Sequence, residues 1–185
     1  MLLYRVFPYL ATASPGDPGH PLYVHPDQGR GRWDNPGAYR AVYAAGSPSG
    51  AIGEAFAGLS TWSAAMLPFP SVAGSVRTLG LYGFDEEAHA LLDLDDARML
   101  LERSLRPTDV VIRNRPRTQG IARAVHAEGT WAGMSWWSMH RPQWTLYVIW
   151  LPDVLRIERV EPVPGHPALL DASQLLARHL GPELR

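Results

Sequence analysis

The chain has no cysteine and no lysine. The first absence excludes disulfides and thiolate metal centres. A zinc site would have to draw on the 7 histidines and the carboxylates, and those histidines do not cluster. The second absence excludes a Schiff-base or amine nucleophile; all 17 basic residues are arginine, so cation chemistry here is guanidinium chemistry. An excess of either charge is also missing. With 17 basic and 18 acidic residues the formal charge is -1, and no basic run marks a nucleic-acid or anionic-membrane surface. Long apolar runs are absent as well: "WTLYVIWL", from Trp144, is far short of a bilayer span. The first residues lack the basic-then-apolar order of a secretory leader, so a cytoplasmic protein without membrane attachment is expected.

What remains suits one core. At 185 residues and 46% apolar, the chain is long enough for a single compact domain over 1–185 and short for two. "LLYRVF" has strand composition, and "LYVH", after a Pro/Gly-rich loop, reads as a second short strand. "YRAVYAA" reads as a strand; "SPSGAIGEAFAGL" follows as a helix with serine caps, an early proline and a face of Ile52, Phe56 and Leu59. Thr61 to Ser75 is rich in breakers and reads as loop. "VRTLGLYGF" and "ALLDL" read as strands, and "DDARMLLERSL" and "PRTQGIARAVHAEG" as helices, the latter closed by Gly129. Three more strand-like pieces follow, "AGMSWWSM", "QWTLYVIW" and "LRIERVEPV". Residues 151–185 thus supply a last strand and an amphipathic helix, "ALLDASQLLARHLG", with Leu169, Leu175, Leu176 and Leu180 on or near one face. Strands succeed one another without regular βαβ alternation, which predicts an α+β fold with a mixed or antiparallel sheet flanked by helices.

Four side chains could carry chemistry. Arg32 lies in "GRGRWDNPG", an irregular glycine-rich loop that suits a guanidinium fork gripping phosphate oxygens; its plainer role is a surface arginine packed on Trp33. Arg30 and Arg40 are the substitutes for the phosphate role. Tyr43 ends a strand and Glu54 follows on the next helix, so both can face one cleft. The carboxylate there could stabilise an oxocarbenium-like centre, hold a ribose hydroxyl or act as a base, and the tyrosine ring could lie against a cationic heterocycle. A helix-dipole glutamate and a core tyrosine are the plainer accounts. Ser138, at a strand end, lacks a G-x-S-x-G elbow, so it reads as a hydrogen-bonding serine rather than a nucleophile. His126 and His140 have no ligand spacing. Tryptophan and proline are dense around Pro68 to Pro70 and Trp136 to Trp144; core packing is one account, and an apolar, arginine-rimmed interface groove is the other.

The stretch "GRGRWDNPGAYRAVYAAGSPSGAIGE" resembles the signature of the RES domain, an arginine-bearing loop leading to a tyrosine strand and a helix with a glutamate. "YRVF" at Tyr4 resembles the start of that domain, and "RTQGIARAVHAEGTWAGMSWWS" its later helix and serine-bearing strand; the resemblance runs from about Tyr4 to Trp150. In place of the tyrosine-proline common before the family's serine stand Trp136 and Trp137, and Asp34 precedes Asn35. The resemblance implies an ADP-ribosyltransferase-like fold and a toxin that consumes NAD as substrate by hydrolysis or phosphorolysis, needs no further cofactor or metal, and is neutralised by an Xre-type antitoxin. It further implies that Arg32 holds the NAD phosphates, Tyr43 contacts the nicotinamide side, Glu54 supports the reacting ribose and Ser138 completes the pocket. A protein mono-ADP-ribosyltransferase and a catalytically silent nucleotide- or protein-binding domain are the alternatives.

Overall fold

The structure is a computed structural model that describes residues 1–184. Its frame is one seven-stranded sheet. The strands are β1 (Leu2–Tyr9), β2 (Val42–Ala45), β4 (Val76–Gly83), β5 (Leu91–Asp93), β6 (Gly133–Trp137), β7 (Thr145–Ile149) and β8 (Arg156–Pro162), in the spatial order β5-β6-β7-β2-β1-β4-β8. Neighbours run antiparallel except β5 and β6, which are parallel, so the sheet is mixed. A separate pair joins β3 (Thr61–Trp62) to β9 (His179–Leu180). The helices are α1 (Pro48–Phe56), α2 (Ala97–Glu102), α3 (Pro107–Val111), α4 (Arg115–Ala127) and α5 (Pro167–Leu175), and the fold is α+β as the sequence predicts. Among the described residues no helix is long and apolar enough to cross a membrane.

Strand alternation divides the core. Along β1, Leu3 and Phe7 join Val42, Tyr82 and Ile149 on one face, while Tyr4 and Val6 pack on the cluster of the other face. That second face carries the helices, through Ile52 and Phe56 of α1, Leu169 and Ala172 of α5, and Ile121 and Val125 of α4. The first face is covered by irregular chain: Val24 is buried there, and the Tyr82 hydroxyl donates to the Pro21 carbonyl at 2.9 Å. This is why "LYVH" is loop and not the expected strand. Its apolar residues are satisfied by lying across a sheet face rather than by pairing at an edge.

Helix α1 begins as its sequence dictates. The Ser47 side chain caps it by accepting from the Gly50 amide at 3.1 Å, and Pro48 occupies the first turn. Ile52 and Phe56 are buried, but Leu59, expected on the same face, lies past the helix end and is exposed. Elsewhere three expectations shift. The stretch read as loop contains β3, because the opposing segment at His179 supplies a strand partner. The C-terminal helix stops at Leu175: Ala177 adopts φ 51, the Arg178 amide bonds back to Ser173, and Leu180 belongs to β9 while Leu175 is exposed. Helix α3, five residues behind Pro107, had no periodic signal to announce it.

The tryptophans expected at an interface groove are used in the core. Trp136 and Trp144 are each 5% exposed, and Trp33 meets Trp136 edge-on at 5.5 Å. Phe69, between the two prolines, shares a hollow with Phe7 and Tyr23 on the face away from α1. Trp144 lies so close over α1 that a Cβ on Gly53 would collide with its indole. Alanine in place of glycine ordinarily gains about 1 kcal/mol in a helix interior. At Gly53 the sign is expected to reverse, with a net loss of about 1–3 kcal/mol from overpacking, seen as a lower midpoint in thermal or denaturant unfolding of Gly53→Ala. An unchanged or raised midpoint would show that Trp144 moves freely.

Candidate active site

The loop before β2 carries Arg32, and its backbone is held almost entirely by side chains. The carbonyls of Gly29 and Gly31 accept from the Gln119 amide, that of Arg30 from Arg115, that of Arg32 from Thr118 and that of Trp33 from the Tyr39 hydroxyl. Two amides are answered from within: Gly31 donates to Asp34 Oδ2 at 2.6 Å, and Trp33 donates to the Tyr43 hydroxyl at 2.8 Å. Gly31 has to be glycine, since a Cβ there would meet both the Asp34 carboxylate and the Tyr43 hydroxyl. With its carbonyls from Gly29 to Trp33 all paired, the loop is a held platform in spite of having no ladder of its own, although the buried Trp33 Nε1 has no partner among the described residues.

Tyr43 stands between this loop and the cleft. Its hydroxyl donates to Asp34 Oδ1 at 2.7 Å while accepting from Trp33, and its ring lies edge-on to Trp136 at 6.4 Å. Burial, then the adjacent Asp34 carboxylate, pushes the phenol pKa far above its ordinary value. Tyr43 therefore stays protonated and offers its ring, rather than its oxygen, to a ligand.

Glu54 projects from the second turn of α1 toward the end of β6. Its Oε1 accepts the hydroxyl proton of Ser138. The Ser138 oxygen in turn accepts from the amides of His140 at 2.9 Å and Arg141 at 3.2 Å. Ser138 is fully buried, and its donor and both lone pairs are used. Expected to complete the pocket, Ser138 lines neither of the hollows described next; it lies behind Glu54 and is hydrogen-bonded to that carboxylate.

Two hollows meet at Glu54 and share Tyr43, Trp136 and Leu146 as walls. One, of about 260 Å³, is apolar and lined by Tyr4, Val6, Ala45, Ala51 and Ala55. The other, of about 520 Å³, is ringed by Arg32, Arg113, Arg115, Met139 and His140. Arg32, Tyr43 and Glu54 thus line one hollow, an arrangement that spacing suggested for Tyr43 and Glu54 and the family resemblance implied for Arg32. Arg30 and Arg40 do not line it, and both side chains are exposed. The arginines that do are Arg113, in the α3–α4 connection, and Arg115, the first residue of α4. The only hint of them in sequence was the density of arginine in "RNRPR". Among the described residues no group of three histidines, aspartates or glutamates could hold a metal ion.

Tyr39 is raised to about 12 by burial, as is Tyr82. Since these two phenols titrate later in the folded chain than in the unfolded one, their stabilisation is complete below pH 10.0 and drains as pH rises through about 12. Denaturant midpoints are expected to fall over that window, alongside the tyrosinate absorbance. Tyr43→Phe strands the buried Asp34 oxygen and is expected to cost about 1–3 kcal/mol at neutral pH. In Ser138→Ala the Glu54 carboxylate and the His140 and Arg141 amides lose their shared partner, and denaturant unfolding is expected to show a loss of about 1–3 kcal/mol. An unchanged midpoint would show that the turn holds without the hydroxyl.

The family model of the RES domain matches residues 2–171. No curated protein matches the chain by sequence. Among solved structures, a chain of the M. tuberculosis MbcT-MbcA toxin-antitoxin complex aligns with a TM-score of 0.60 at 16% identity, over 95% of this chain and 88% of that one. At that identity the likeness is one of fold. The family match spans nearly the whole chain, including the loop of Arg32, the strand of Tyr43, the helix of Glu54 and the turn of Ser138. The chain belongs to the RES domain family.

Proposed function

We propose that this protein consumes NAD by cleaving the bond between nicotinamide and ribose, and that it acts as the toxin of a toxin-antitoxin pair. The observation that carries the chemistry is Glu54, fixed by Ser138 at the seam between an apolar hollow and an arginine-ringed one. A dinucleotide with a flat base at one end and a diphosphate in the middle presents its reacting ribose at such a seam. The toxin role is supported by membership of the RES family and by the fold shared with a toxin-antitoxin complex.

The reaction asks little of the protein beyond placement and charge. The C1′–N1 bond breaks with its electron pair passing to the nicotinamide ring, which leaves as a neutral molecule and needs no acid. Positive charge develops on the ribose, and the Glu54 carboxylate lies where it can oppose that charge or hold a ribose hydroxyl. The incoming oxygen, from water or phosphate, bonds to C1′ and gives up its proton. The Tyr43 ring and the alanine-lined walls enclose the departing base and exclude water from it. An antitoxin of the helix-turn-helix Xre type would silence the enzyme by covering this cleft.

Glu54→Gln keeps shape and removes the negative charge, so nicotinamide release by the purified protein is expected to fall by a factor on the order of 10² or more with little change in KM. Arg32→Ala is expected to weaken NAD binding together with turnover. Initial rates against NAD concentration separate the two effects, and NAD labelled in the adenosine half tells a soluble product from transfer onto protein. Wild-type turnover in Glu54→Gln would overturn the assignment and favour a silent binding domain.

A further inference from the structure

The Arg32 guanidinium is only partly available to a ligand. Its Nη1 donates to the carbonyls of Val110 at 2.9 Å and Ile112 at 2.6 Å, and its Nη2 contacts the Met139 sulfur at 3.2 Å. Those carbonyls belong to the end of α3 and the elbow that follows it, the segment that also carries Arg113 and leads into α4 at Arg115. Arg32 thus ties this elbow to the glycine-rich loop. The tie is mutual, because Arg115 Nε donates to the Arg30 carbonyl at 3.2 Å.

The elbow brings like charges together with little compensation. Arg32, Arg113 and Arg115 ring one hollow whose only carboxylate is Glu54. Burial first, and the neighbouring Arg115 next, lower the Arg32 pKa. By contrast Arg117, one residue beyond Pro116, is paired with Asp109. Arg115 Nη1 is buried with no hydrogen-bond partner, a costly state for a cationic donor unless an anion completes it. Arg113 is exposed on the same rim.

On this basis we infer that Arg115 and Arg113 are the residues that grip the diphosphate of the dinucleotide, and that Arg32 is chiefly the strut that presents them. The inference rests on the proposed NAD reading for its substrate, and it divides the work differently from the family resemblance, which gives the phosphates to Arg32. It also orients the substrate: nicotinamide enters the alanine-lined hollow past Glu54, and the adenosine half leaves along the side of Met139 and His140. The diphosphate is a ground-state contact as much as a transition-state one, so its loss appears in binding and not in the chemical step.

The test uses the full chain and two readouts, the dissociation constant of ADP-ribose by calorimetry and the kinetics of nicotinamide release. Arg115→Ala and Arg113→Ala are expected to weaken ADP-ribose and raise KM for NAD by about tenfold and about threefold or more respectively, with kcat within about threefold of wild type. Arg98→Ala, which removes an equal charge from an exposed site on α2, serves as the control and is expected to leave both readouts within about twofold. Arg113 is exposed, so its variant keeps the wild-type melting temperature and reports on binding even if Arg115→Ala is unstable. Wild-type ADP-ribose affinity in Arg113→Ala and in folded Arg115→Ala, or no ADP-ribose binding by the wild-type chain, overturns the inference. Arginine-dependent ADP-ribose binding without nicotinamide release would instead overturn the proposed reaction and leave the diphosphate grip standing.

Discussion

Five successive backbone carbonyls, from Gly29 to Trp33, each accept a hydrogen bond from a side chain elsewhere in the chain. The cleft depends on that arrangement. The loop passes from exposed at Gly29 to buried at Trp33, and its inner carbonyls, without strand or helix partners, would otherwise be unpaired polar groups costing about 1–3 kcal/mol each where they are buried. Here Arg115, Thr118 and Gln119 of α4 answer four of them, and Tyr39 answers the fifth. Because α4 is the element that holds the loop, the position of Arg32 is set by a helix more than eighty residues away in sequence, for example through the Thr118–Arg32 bond with a separation of 86.

The same economy recurs at Glu54. Ser138 spends its proton on the carboxylate and its lone pairs on the turn between β6 and β7, so one hydroxyl both shapes that turn and aims the acid. Tyr43 does likewise for the other wall: one hydroxyl ties Asp34 to the Trp33 amide while the ring faces the cleft. Side chains whose polar ends are fully occupied contribute rigidity to the cleft. This is what preorganisation demands of the groups around a reacting centre.

Much of this was legible in the sequence, and the illegible parts share a cause. Ser47-Pro48 announces the start of α1, and so fixes where Glu54 stands on it, because capping is local chemistry. The strands β1, β4, β6, β7 and β8 follow from composition and alternation. What sequence could not show is contact between distant segments. Strand β3 exists because His179–Leu180 reaches it, and "LYVH" is coil because Tyr82 and Val24 seat it on a sheet face. Asp34, which in sequence only separates Trp33 from Asn35, is the buried acceptor for Tyr43 and Gly31. Arg113 and Arg115 escaped notice because the α3–α4 elbow that brings them to Arg32 has no periodicity to betray it.

The apolar hollow has a simple origin in side-chain volume. At the seam between the sheet and α1 the facing residues are Ala45, Ala51 and Ala55, while the bulky residues nearby, Trp144 and Phe56, are drawn into the core. Trp144 can descend onto α1 because Gly53 presents no side chain to it. The helix is therefore anchored by tryptophan on one flank and left unfilled on the other. A protein interior closes such gaps unless backbone rigidity forbids it. Here α1 is held by its serine cap, by α5 and by the Ser138–Glu54 bond, so the missing volume persists as a hollow. What borders it gives it its character: alanine and aromatic walls make it apolar, and the Glu54 carboxylate stands at its mouth.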